Sequence, residues 1–180
     1  MTADPKTPPA LAPETTTYLE MLTLDDLRPS RADADALTVR RLPVSEFATG
    51  RQFYQEVGND YQWIDRLVWS DRQWQEYYQR PGIEIWVGES QGVRAGYFEL
   101  DARDNGSTEL AYFGLLPTAI GRGLGGLLLT EAIRQAWASG AKRVWVHTSS
   151  RDHAGALPNY LARGFRIYNT ETKLAPMQAG

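Results

Sequence analysis

The stretch AIGRGLGGLLLTEAI, residues 119–133, places four glycines in the six positions from Gly121 to Gly126 and then turns leucine-rich. Glycines between a strand and a helix let the backbone approach a ligand closely. The free amides of the first helical turn, together with the helix dipole, favour an anion there. A phosphate or pyrophosphate cradle is one reading, and a turn tightened for helix–strand packing is the other. Read literally, Gly121 to Gly126 also satisfies the G-x-G-x-x-G of dinucleotide sites. That motif wants an acidic residue about 20 positions on, at the end of the next strand, and repeated β-α-β units. Here the next strand-like run, RVWVHT, ends in His147 and Thr148, and the nearest acid, Asp152, lies beyond it. A Walker A loop needs Lys and then Ser or Thr after its last glycine, where this chain has Leu127 and Leu128. Both nucleotide readings fail.

Downstream of the glycines, Leu127, Leu128, Ala132, Ile133, Ala136 and Trp137 recur at helical spacing until Gly140. RVWVHT then reads as a strand, ALPNYLAR as a short helix ended by Gly164, and FRIYNTE as a final strand. Upstream, IEIWVGE, VRAGYFEL and TELAYFGLL are strand-like runs joined by short turns at Gln91-Gly92 and Asp104-Asn105-Gly106. Such turns join antiparallel neighbours, so these runs form a meander. LTVRRL alternates like another strand. Ser45 is expected to cap a helix running to about Val57, and Asp71 to cap a shorter one stopped by Pro81-Gly82. Residues 1–16, with four prolines and four threonines, read as a flexible tail. Tyr18, Leu19, Met21, Leu22, Leu24 and Leu27 are expected to dock as short turns, and 31–36 to link them to the body. The pattern predicts a mixed α/β domain over 36–180, preceded by an extension over 1–35. Its mostly antiparallel sheet has about six or seven strands and one β-α-β crossover, with about four flanking helices.

The combination ELAYFGLLPTAIGRGLGGLLL … ALPNYLARGF resembles the GNAT superfamily of acetyl-CoA-dependent N-acetyltransferases, over roughly residues 37–172. The family signature is Gln or Arg, two residues, Gly, any residue, then Gly or Ala, and Gly123 and Gly125 take the glycine places. A second mark is a Tyr four residues before Gly-Phe, matched by Tyr160 with Gly164-Phe165. There are three departures: Ile120 stands at the Gln or Arg position, His153 stands where Asn is common, and Pro158 interrupts a usually continuous helix.

The resemblance implies an enzyme that moves an acetyl group from acetyl-CoA to a primary amine by direct attack. The amides of Gly121, Arg122, Gly123, Leu124, Gly125 and Gly126 would cradle the CoA pyrophosphate. Arg122 is the candidate to replace the missing side chain at Ile120, and His153 belongs to the same cofactor set. Glu109, eleven residues before Ile120, would be the base, and Tyr160 the acid for the departing thiolate. A backbone amide at Leu115 or Leu116 would meet the oxyanion. In strand alternation Glu109 shares a face with Ala111, Phe113 and Leu115, an apolar setting that raises a carboxyl pKa. His147 is an alternative base. Between Tyr54 and Tyr78, aromatics interleaved with Asp60, Asp65, Arg66 and Asp71 are candidates to hold a cationic amine. The rival reading is a non-catalytic acyl-CoA-binding module, and a protein N-terminus or lysine is the alternative acceptor.

Composition bounds these readings. The 180 residues are 42% hydrophobic and 23% charged, enough for one domain that buries about 70% of its unfolded surface. A net charge of −3 argues against nucleic acid as a main partner. The chain has no cysteine and only two histidines, which excludes disulfides and a thiol intermediate and argues against a metal site. With no long apolar run or leader pattern, a cytoplasmic protein without a membrane partner is expected, and a homodimer is one expected assembly.

Overall fold

In the computed structural model, which describes residues 11–61 and 63–176, a single sheet carries seven strands in the order β2-β3-β4-β5-β6-β1-β7. The elements in chain order are β1 (Leu11–Met21), β2 (Thr38–Arg41), α1 (Phe47–Gly58), α2 (Asp71–Tyr78), β3 (Ile83–Ser90) and β4 (Val93–Ala102). They continue with β5 (Ser107–Leu115), α3 (Leu124–Ala138), β6 (Arg143–Ser149), α4 (Ala156–Ala162) and β7 (Arg166–Pro176). All neighbouring strands are antiparallel except β5 and β6, which α3 joins in parallel.

The sheet separates two apolar cores. On one face α3 buries Leu124, Leu127, Leu128, Leu129, Ala132, Ile133 and Ala136 against Leu19, Met21, Phe98, Leu100, Leu110, Val144 and Val146. On the other, α1 and α2 bury Phe53, Tyr54, Val57, Trp74 and Tyr78 against Ile83, Ile85, Val87 and Tyr97. With helices on both sides, β4 is buried continuously from Ala95 to Asp101. This strand therefore lacks the inside–outside alternation of a half-exposed strand.

The N-terminal expectation is corrected where the structure describes it. Leu11–Met21 is a strand, not a tail with docking turns, and lies inside the sheet between β6 and β7. Thr17, Leu19 and Met21 point to the α3 core, while Tyr18 and Glu20 point away, so the alternation is that of a strand. Residues 1–10 of the expected tail lie outside the described residues. Two helix starts also differ. Ser45 falls inside a short 3-10 turn, Val44–Glu46, ahead of α1. Ser70, one residue before Asp71, caps α2 in a capping box with Gln73. Pro158 is the third residue of α4, in the first turn, where its missing N–H would have had no helical partner.

Candidate active site

The parallel pairing of β5 with β6 spans only Ser107 to Glu109 on one side and Arg143 to Trp145 on the other. Beyond it the two strands separate and a cleft of about 990 Å³ opens, walled by Leu110 to Leu115 and by Val146, His147 and Ser149. Within β5, Glu99 of β4 pairs with Tyr112 while Leu100 pairs with Leu110, so Ala111 is an extra residue in a β-bulge. Past the bulge, the amide of Leu116 donates to the carbonyl of Ala95 at 2.8 Å. In an antiparallel ladder successive residues point their amides to opposite sides. Phe113 and Leu115 therefore turn their backbone groups away from β4 and into the cleft. Leu116, expected as an oxyanion donor, has its amide committed to Ala95. Phe113, which the sequence reading passed over, occupies the equivalent cleft-facing position.

At the end of the cleft lie Gly121, Gly123, Gly125 and Gly126. Gly121 and Gly123 have φ of 80° and 76°, a left-handed conformation that L side chains rarely adopt. A Cβ at either position would meet no atom within 4 Å, so the space above the turn is open. Gly123 is the N-cap of α3, with no side chain spanning the helix end. The first-turn amides, Leu124 included, thus stand free beside the cleft. Asn159 of α4 donates to the carbonyl of Gly125 at 3.1 Å and fastens α4 to this turn. Residues that touch a neighbouring element through one amide carry no sequence signature of their own, and Asn159 was not anticipated.

The remaining residues expected at the site are divided. Tyr160 lines the cleft from α4, packs on Phe113 and Phe165, and has its phenol pKa raised by burial. His153 also lines the cleft, accepts the Gly155 amide at 2.9 Å on Nδ1, and meets the Tyr61 ring edge-on. Arg122 is exposed and reaches Ser90 at 3.4 Å instead of turning to the cleft. The Leu124 side chain belongs to the α3 core.

Glu109 is the main correction. The bulge at Ala111 puts Phe113 and Leu115 on the α3 face with Leu110, whereas Glu109 is on the face of Tyr112. Its neighbours are polar: the Arg103 guanidinium and His147 Nδ1 each lie 3.7 Å from its carboxylate. Burial pushes the Glu109 carboxyl up, and His147 and Arg103 pull it back. Glu109 stands just behind the cleft wall, and His147 is the titratable side chain of the pair that lines the cleft.

A model described as the acetyltransferase (GNAT) family matches residues 51–165. The chain belongs to this family. Among solved structures, a GCN5-related N-acetyltransferase from Kribbella flavida superposes with a TM-score of 0.65 at 20% identity, over 92% of this chain and 59% of that one. One from Sphaerobacter thermophilus gives 0.67 at 17% identity, over 94% and 54%. An aminoglycoside acetyltransferase from an uncultured soil metagenomic sample, in complex with trehalose, gives 0.60 at 13% identity, over 72% and 88%. The chain spans little more than half of the length of the two GCN5-related N-acetyltransferases it matches. No curated protein matches it significantly.

The aromatic cluster of this GNAT-family chain does not await a cationic ligand, because it already holds one. The Arg66 guanidinium lies 4.0 Å from the Tyr77 ring centroid and 4.3 Å from that of Tyr112, with Trp69 at 5.0 Å. Its NH1 pairs at 2.7 Å with Glu99, which is 0% exposed and also accepts from the Tyr78 hydroxyl. Burial raises the Glu99 carboxyl pKa, and Arg66 opposes that rise. Arg66→Met is expected to cost about 3–5 kcal/mol, because it strands a buried carboxylate. In that variant the folded chain keeps a proton that the unfolded chain releases above pH ~4.3. Its stability should therefore fall as pH rises from about 5 to about 8. Urea melts at the two pH values check this, and adding Glu99→Gln should restore most of the loss. Of the aromatics and acids expected to hold an amine, Tyr61, Trp63 and Asp65 line the cleft, with Ile64 between them.

Proposed function

We propose that the chain transfers an acetyl group from acetyl-CoA to a primary amine of a small molecule, by direct attack within a ternary complex. The observation that carries this reading is the fork between β5 and β6, where the backbone of Phe113 and Leu115 is unpaired beside the open glycine turn. The residues present fit an acyl-CoA. The pantetheine arm of CoA is an amide chain that pairs with exposed strand backbone, and the CoA pyrophosphate suits the helix start beside the open space at Gly121 and Gly123. Gly121, Gly123, Gly125 and Gly126 would hold the pyrophosphate, together with the amide of Leu124. The acyl-CoA supplies an activated thioester carbonyl, and the chain supplies the rest. The Phe113 or Leu115 amide would meet the oxygen as it gains charge. Glu109 would provide the negative charge that drives proton removal from the amine. Tyr160 would return a proton to the leaving sulfur.

A small acceptor is favoured because the aminoglycoside acetyltransferase among the structural neighbours covers nearly its full length in the alignment. Release of free CoA thiol, followed with acetyl-CoA and a panel of polyamines, aminoglycosides, amino acids and lysine peptides, tests the proposal. Turnover with at least one small amine is expected. Turnover with the peptides alone would replace the small acceptor by a protein one, and thiol release with none would remove the catalytic reading.

A further inference from the structure

We propose that the proton of the acceptor amine is taken by His147, with Glu109 holding and polarising the imidazole, so that the two form a carboxylate–imidazole pair at the fork of the sheet. The inference rests on the acetyltransferase reading above. The fork creates the juxtaposition. Glu109 is the last β5 residue paired with β6, opposite Trp145, and His147 follows on the same face two residues on, where the cleft begins. The Glu109 side chain is 14% exposed and His147 47%, so the imidazole stands between the carboxylate and the open cleft.

The imidazole is also oriented. Its ring stacks on Tyr18 at 5.8 Å and 23° and on Trp145 at 6.1 Å and 28°. Tyr18 is itself anchored by its hydroxyl to Glu171 of β7. Stacking on its cross-strand neighbour and along its own strand limits ring rotation, and Nδ1 is the nitrogen that meets Glu109 Oε1, at 3.7 Å. Which nitrogen of a histidine carries the proton is set by the partner of the other. A carboxylate at Nδ1 fixes the proton there and leaves Nε2 bare for the acceptor. Contacts of this kind are often long in an empty site and shorten when substrate fills it.

On the far side of Glu109, Arg103 lies 3.7 Å away and is held by Asp101 at 2.7 Å. Burial and the Asp101 charge disfavour an anionic Glu109, and Arg103 and His147 favour it. In the step itself, Nε2 takes a proton from the acceptor nitrogen as that nitrogen bonds to the thioester carbon. The carbon–sulfur bond then breaks, the sulfur leaves with a proton from Tyr160, and the proton held by His147 passes through water to the Tyr160 phenolate, restoring both groups. The products are the acetylated amine and free CoA thiol.

The test is the tautomer of His147, read by nitrogen-15 NMR of the whole protein at a pH where the ring is neutral, with His153→Gln assigning the two histidines. A proton on Nδ1 and a bare Nε2 are expected in the otherwise unmodified chain, with that preference lost in Glu109→Ala. Acetyl-CoA should shift the His147 signals. A proton on Nε2 in the unmodified chain overturns the pair, whether or not the variant folds. Retention of the Nδ1 proton in Glu109→Ala overturns it as well. Thermal unfolding of the same sample with acetyl-CoA separates the two failures: absent binding removes the acetyltransferase reading, while binding with the wrong tautomer removes only the pair.

Discussion

Gly123→Trp is expected to abolish acetyl-CoA binding while leaving the fold standing. The position caps α3 with φ of 76°, and a side chain there projects into space with no atom within 4 Å. Neither core would be overpacked. The cost to the fold is the left-handed backbone, about 1–2 kcal/mol for a residue with a Cβ. The cost to binding is much larger, because an indole would fill the volume in which a pyrophosphate meets the first-turn amides. Calorimetric titration should give no acetyl-CoA heat for the variant, alongside a circular dichroism spectrum like that of the parent. An unchanged affinity would put the phosphate site elsewhere on the molecule.

Glu109→Gln is expected to lower turnover by about 10²–10⁴-fold, the usual range for removing an acid–base group, with acetyl-CoA affinity nearly unchanged. The carboxylate lies at the fork and makes no contact with the glycine turn, so the loss should appear in kcat and not in donor binding. Because burial raises the Glu109 pKa, the parent should lose activity on acidification before an ordinary carboxylate would protonate. Parental turnover in Glu109→Gln would end the role given to this residue, whether it acts alone or through His147.

The glycine turn, the α3 periodicity and Tyr160 before Gly164-Phe165 were legible in the sequence because each depends on local spacing. What escaped depends on pairing. A period of two carried forward from Glu109 assigns Phe113 and Leu115 to its face, and the single extra residue at Ala111 reverses that assignment. Nothing in LAYFG announces a bulge, since neither glycine nor proline marks the position.

The β1 segment, LAPETTTYLEM, has a proline and a run of threonines that suggest a tail. Pro13 is tolerated because β1 pairs there with β7 alone, and pairing with β6 begins at Thr16. The threonines and alternating Leu19 and Met21 were the strand signal. The aromatic run from Tyr54 to Tyr78 was read as a candidate holder of a cationic amine, but the cation its rings surround is Arg66 of the same chain. Proximity in sequence could not separate a ligand's cage from an internal ion pair.

The most direct measurement is thermal unfolding of the intact protein alone and with saturating acetyl-CoA, NADH or ATP. A ligand at about 100 times its dissociation constant adds about 2.7 kcal/mol. For a chain of this size that raises the melting temperature by about 5–10 °C. A rise of that order with acetyl-CoA, and none with NADH or ATP, is expected. No rise with acetyl-CoA, in a sample that NADH or ATP does stabilise, would contradict the assignment of the glycine turn to an acyl-CoA.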